Sequence, residues 1–123
     1  MEREEFEQLV SQAFDQLPEQ FHRAIENLHV VVEDYPDGET VAQMNLRSKH
    51  DLLGLYQGIP LNRRGQWYGM VPVVPDKISL YQKNIERGDW SGQRIQEKIR
   101  EVLIHEIGHY FGMTEDEIRA AGY

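Results

Sequence analysis

The sequence predicts an α+β domain with helices towards both ends of the chain and short strands between them. Three patterns carry that expectation. Apolar residues recur at helical spacing from Phe6 to Leu17, β-branched or alternating runs stand at 28–33 and 77–82, and a second helical stripe extends from Ser91 to about Phe111.

Taken in chain order, Phe6, Leu9, Val10, Ala13, Phe14 and Leu17 form one stripe of an amphipathic helix. Pro18 ends it and opens a second short helix, Glu19 to about Glu26, with Phe21, Ala24 and Ile25 as its apolar side. Leu28 to Glu33 is rich in valine and bounded by turn-forming residues, so a buried strand is expected there. Residues 36–50 are polar and poorly periodic, a loop with room for one helical turn. Leu52 to Gly58 suits a short strand or a closely packed turn, Asn62 to Gly65 a surface turn, and Trp67 to Val74 extended chain. Lys77 to Gln82 alternates Ile78 and Leu80 against Ser79 and Tyr81, which predicts a half-buried strand, a candidate edge for a substrate backbone. Ser91 can cap the long last helix, and Gly112 can supply the left-handed residue that ends it. Thr114 to Glu117 has capping-box spacing, so a short final helix follows.

At 123 residues the chain, residues 1–123, is expected to be a single domain, and no repeat, low-complexity tract or linker divides it. A net charge of −8 argues against nucleic acid and against an anionic membrane surface as partners. There is no cysteine, which excludes disulfides, thiol catalysis and cysteine-built zinc sites. The run Val30-Val31-Val32 is far too short for a membrane span. The charged start Met1-Glu2-Arg3-Glu4-Glu5 differs from an apolar secretory leader, so a cytoplasmic location is the expectation. The oligomeric state is not legible.

The chemistry concentrates in His105-Glu106-Ile107-Gly108-His109 and the Gly112 and Glu115 that follow, an H-E-x-x-H-x-x-G-x-x-E pattern. Two imidazoles four residues apart share one helix face and can reach one cation, with Zn2+ the expected cofactor. The adjacent glutamate can take a proton from water that such a cation activates. Advancing about 100° per residue puts Ile95, Ile99, Leu103, Ile107 and Tyr110 on an apolar arc and the two histidines on the other side, beside Lys98, Glu101 and Gly108. The expected metal ligands are therefore His105, His109 and Glu115, with Glu106 as the catalytic base. Asp116 or water is the alternative third ligand. Gly108 leaves room either for substrate or for a packed neighbouring element. Glu101 is either a partner that orients an imidazole or a solvated acid. Tyr56, Tyr68, Tyr123 and His50 are the candidate donors to a developing oxyanion. His22 and His29 read as surface or packing residues, and Tyr56, Trp67, Tyr68, Tyr81 and Trp90 as core and rim packing.

The segment from His105 to Ile118 resembles a family of small bacterial zincin-like proteins, the minimal zincins. The resemblance extends to Leu17-Pro18-Glu19-Gln20-Phe21, Val30 to Asp34, Gly54 to Leu61 and Ile78 to Tyr81. It implies a minimal zincin-like α+β fold: a small mixed β-sheet of three to four strands, an N-terminal backing helix and a long active-site helix. Members of that family carry aspartate where Glu115 stands, and glutamate is longer by one methylene. Met113 precedes Glu115, so it does not match the methionine turn of larger relatives. The expected function is a zinc-dependent metallopeptidase acting on a peptide or protein substrate. The alternatives are a catalytically inactive zinc-binding scaffold or interaction domain and, against the charge, a metal hydrolase acting on nucleic acid.

Overall fold

The computed structural model describes residues 1–25, 27–60, 76–88 and 91–122. The expected turn at 62–65, the extended stretch at 67–74, and Tyr68, Trp90 and Tyr123 lie outside them. Helix α1 (Arg3–Asp15) leads into α2 (Glu19–Ala24), strand β1 (Leu28–Glu33), α3 (Gly38–Gln43) and β2 (Gly54–Gln57). Strand β3 (Asp76–Tyr81), α4 (Gln82–Ile85), the long α5 (Gly92–Tyr110) and α6 (Glu115–Ala120) complete the order.

The three strands form one mixed sheet in the order β1-β3-β2. β1 runs parallel to β3, with Val30 opposite Ile78, and β2 runs antiparallel to it, with Tyr56 opposite Ile78. The minimal zincin-like α+β architecture is therefore present, with three strands among the described residues. Two strand expectations need correction. β3 is the central strand and not a substrate-holding edge, so its faces are both covered and Ser79 and Tyr81 are as buried as Ile78 and Leu80. The valine run of β1 is only partly buried, because among the described residues that strand lies at the border of the sheet. Alternation and valine content report local exposure; strand order is decided by contacts distant in sequence.

Helix α1 backs α5, and α5 in turn rests on β2 and β3. Phe6, Val10 and Ala13 meet Ile95, Ile99, Leu103 and Ile107 in one core that also takes Ile78 and Leu80. Arg3 fastens the start of α1 to the sheet: its guanidinium donates to the Val32 carbonyl at 2.7 Å, to Gln82 Oε1 at 2.7 Å and to the Asp34 carboxylate. The polar stretch after β1 contains α3, capped by Asp37, which accepts from the Thr40 N–H at 2.8 Å. No helix among the described residues is long and apolar enough to cross a membrane.

Candidate metal centre

The C-terminal half of α5 places two rings on its outer side. His105 and His109 lie one turn apart with ring centroids 5.1 Å from each other, and both are only partly exposed. Between them Ile107 is buried in the core, as the helical arc predicts, and Tyr110 is fully buried.

The helix then ends in a Schellman motif. The Gly112 N–H donates to the His109 carbonyl at 2.9 Å and the Met113 N–H to the Gly108 carbonyl at 3.0 Å. Gly112 has φ +88°, a backbone geometry that glycine adopts without a Cβ penalty. This reversal starts α6 beside α5. A capping box fixes that start, with Thr114 Oγ1 accepting from the Glu117 N–H at 3.2 Å and Glu117 Oε1 accepting from the Thr114 N–H at 3.1 Å. Ile118 packs on Gly108, where a methyl group would lie 2.8 Å from its Cγ1 and Cδ1. Of the two readings of Gly108, close packing against a neighbouring helix is the one realised.

Glu115, the first residue of α6, is thereby carried back to the rings. Its Oε1 lies 2.9 Å from His105 Nε2 and 2.9 Å from His109 Nε2. One ligand atom from each residue falls within 4.8 Å of the others. Ligand atoms around a tetrahedral zinc lie about 3.3 Å apart, so this two-nitrogen, one-oxygen set fits the ion after a small adjustment. The group behind His109 supports the same fit. His109 Nδ1 lies 3.1 Å from the Met113 carbonyl, which can only accept, so Nδ1 carries the proton and Nε2 presents its lone pair to Glu115. Two acceptors this close need a proton or a cation between them. The hydrogen bond with His105 holds the Glu115 carboxyl below its ordinary range, with partial desolvation acting the other way.

Glu106 is different in kind. It is 8% exposed, and its Oε1 accepts from the Tyr56 N–H of β2 at 3.0 Å. Burial pushes its carboxyl above the usual value, and the nearby His109 and His105 only partly oppose that. A carboxyl raised in this way holds a proton more readily than a solvated glutamate does.

Two clefts of about 350 and 570 Å³ flank these groups and share Leu52, Gly54, Glu106 and Glu115. The first continues past Lys98 and Val102. The second is lined by Met44, Leu55, Pro60 and Met113, and Met44 is 45% exposed. A third groove, between α1 and β1, offers only Glu7 and Asp15 as titratable groups.

The remaining sequence candidates sort by their contacts. Glu101 pairs with Lys98 at 3.8 Å, so the acid that would orient a ring is replaced by the Met113 carbonyl. The Tyr56 hydroxyl donates to Asp76 Oδ2 at 3.1 Å and its ring packs edge-on against Tyr110, which removes it as an oxyanion donor. His50 packs against Tyr35, and His22 against Phe14. Asp116 lies outside the cluster that His105, His109 and Glu115 form. Sequence reasoning missed the Met113 carbonyl and the Tyr56 N–H because backbone groups leave no residue-type signal.

No curated protein matches the chain. Among solved structures, a conserved hypothetical protein from Thermo thermophilus superposes with a TM-score of 0.57 at 22% identity, covering 98% of each chain, and it shares the fold. The sequence pattern of one family, described as zincin-like metallopeptidase, matches residues 25–123. The chain belongs to the zincin-like metallopeptidase family.

Proposed function

We propose that the protein is a zinc-dependent peptidase in which His105, His109 and Glu115 hold the metal and Glu106 is the general base. The family implies a metal, ordinarily zinc. The observation that carries the proposal is the meeting of three donor atoms on one side of α5 with a buried carboxylate from the same helix turn beside them. When bound, zinc supplies Lewis-acid chemistry, polarising a carbonyl and making water acidic enough to attack it near neutral pH. The chain's own groups do the rest. Glu106 takes the water's proton on Oε2, the oxygen not engaged by Tyr56, and passes it to the departing amine. Glu115 adds its negative charge to the ligand set, and Met113 keeps His109 in the tautomer that ligates.

An extended peptide segment is the substrate that suits the shape. Among the described residues β2 borders the sheet, and the clefts run past it on both sides of Glu106. The methionine-lined flank favours an apolar side chain next to the scissile bond, since Met44 and Met113 adapt to irregular shapes. The net charge of −8 keeps nucleic acid out of this reading.

The experiment is turnover of a fluorogenic peptide library by the zinc-loaded protein and by Glu106→Gln, with zinc content measured in both. Loss of at least about a hundredfold in rate with metal retained supports the proposal, as expected for removing a general base. Equal signals from the two proteins would establish an inactive zinc-binding scaffold in its place.

A further inference from the structure

We infer that strand β2 positions the base: the Tyr56 N–H anchors the Glu106 carboxylate through one oxygen, and Gly54 sets the separation at which that bond can form. The inference rests on the peptidase reading for its catalytic consequence, but the anchor itself is a property of the fold.

The register shows why this N–H is available. Gly54 lies opposite Leu80 and Tyr56 opposite Ile78, and the Leu53 carbonyl accepts from the Tyr81 N–H at 3.0 Å. In an antiparallel ladder the bonded residues alternate, so Leu53, Leu55 and Gln57 face β3 while Gly54 and Tyr56 turn their backbone groups outward. An outward N–H on a border strand ordinarily meets water or another strand. Here a carboxylate from a helix fifty residues away takes it, at 3.0 Å. With Oε1 engaged and the side chain buried, Oε2 keeps a fixed direction, as a proton acceptor in a reacting site requires.

Gly54 makes the approach possible. A methyl group there would lie 2.8 Å from Val102 Cγ1, 3.2 Å from the Ser79 carbonyl oxygen and 3.3 Å from Glu106 Cγ. Ser79 belongs to the central strand and cannot retreat, and Val102 stands one turn before Glu106 on α5. Any side chain at position 54 therefore separates β2 from α5 at the level of the base. Gly54 and the Tyr56 N–H are positioning groups. Neither is asked to touch the reacting atoms.

Amide hydrogen exchange at Tyr56, followed by NMR in the full chain, tests the anchor without turnover. The Leu55 amide, which faces β3, serves as the internal reference. The Tyr56 amide is expected to be protected in the wild type and in Glu106→Gln, whose amide oxygen still accepts. It is expected to exchange at least about tenfold faster in Glu106→Ala and Gly54→Ala with Leu55 unchanged. An equally slow Tyr56 amide in Glu106→Ala overturns the inference. In turnover, Gly54→Ala should lower kcat by about tenfold or more with KM and zinc affinity within about twofold, and Val102→Ala on that background should restore part of the loss. A parallel fall in kcat, substrate affinity and zinc affinity would mark Gly54 as merely structural. If Gly54→Ala does not fold, the comparison of Glu106→Ala with Glu106→Gln decides alone. A wild type without turnover removes the peptidase reading, and the exchange result still decides the anchor.

Discussion

Replacing Ile118 with alanine is expected to weaken metal binding although Ile118 touches no metal. The side chain is 1% exposed and seats α6 on Gly108 of α5, and α6 carries Glu115. Alanine lacks the three outer carbons of isoleucine, and at about 0.8 kcal/mol per buried carbon their loss comes to about 2.4 kcal/mol before any cavity penalty. A helix of six residues has little stability of its own, so much of that loss falls on the docking of α6. An energy of about 2.4 kcal/mol corresponds to about a sixtyfold change in the ratio of docked to undocked α6, and the apparent affinity falls with the docked fraction. For a native docking constant of at most about 30, the affinity loss lies between about threefold and sixtyfold. Competition against a chromophoric zinc chelator at neutral pH measures it, with Glu115→Ala as the reference for complete loss of the third ligand. An Ile118→Ala protein that is measurably destabilised yet binds zinc as tightly as the wild type would refute the reasoning, because the lost packing would then not govern the seating of Glu115.

Three further outcomes are expected. Arg3→Ala removes three hydrogen bonds that join α1 to Val32, Gln82 and Asp34, and should cost about 2 to 3 kcal/mol in urea unfolding with an unchanged m-value; a loss below about 0.5 kcal/mol would mean that the clamp adds nothing. Burial, and then the nearby Glu33 charge, raise the Tyr81 phenol above its ordinary value, so above pH about 10 the unfolded chain loses that proton before the folded one does. Stability should therefore fall with rising pH there, with Tyr81 contributing up to about 1.4 kcal/mol per pH unit, and Tyr81→Phe should flatten the slope; an identical slope in both proteins contradicts this. Met44→Asp at the rim of the larger cleft should raise KM for apolar peptides by about tenfold or more and leave kcat little changed, and an unaltered KM would place the substrate elsewhere.

Much of the candidate metal centre was legible because its parts are local. Two histidines at i and i+4, a glycine at the helix end and a capping threonine are each read over a few residues, and the structure brings His105, His109 and Glu115 together on those signals. The sheet was read less well. Valine content suggested a buried β1 and alternation a half-exposed β3, whereas long-range pairing put β3 in the centre. The single turn of α4 at Gln82–Ile85 was not foreseen, and only its first residue, Gln82, was read as the end of a strand, since four residues carry no helical period. The partners of the histidines and of the base were the hardest to foresee. A carbonyl at 113 and an N–H at 56 belong to every chain, and only folding selects them.

The three candidate ligands span eleven consecutive residues, whereas Glu106 meets its anchor across fifty. Closing the first loop sacrifices little chain entropy, and the second requires the sheet to have assembled. On the proposed reading, local contacts can gather the candidate ligands before the sheet aligns Glu106, so that metal occupancy would precede competence.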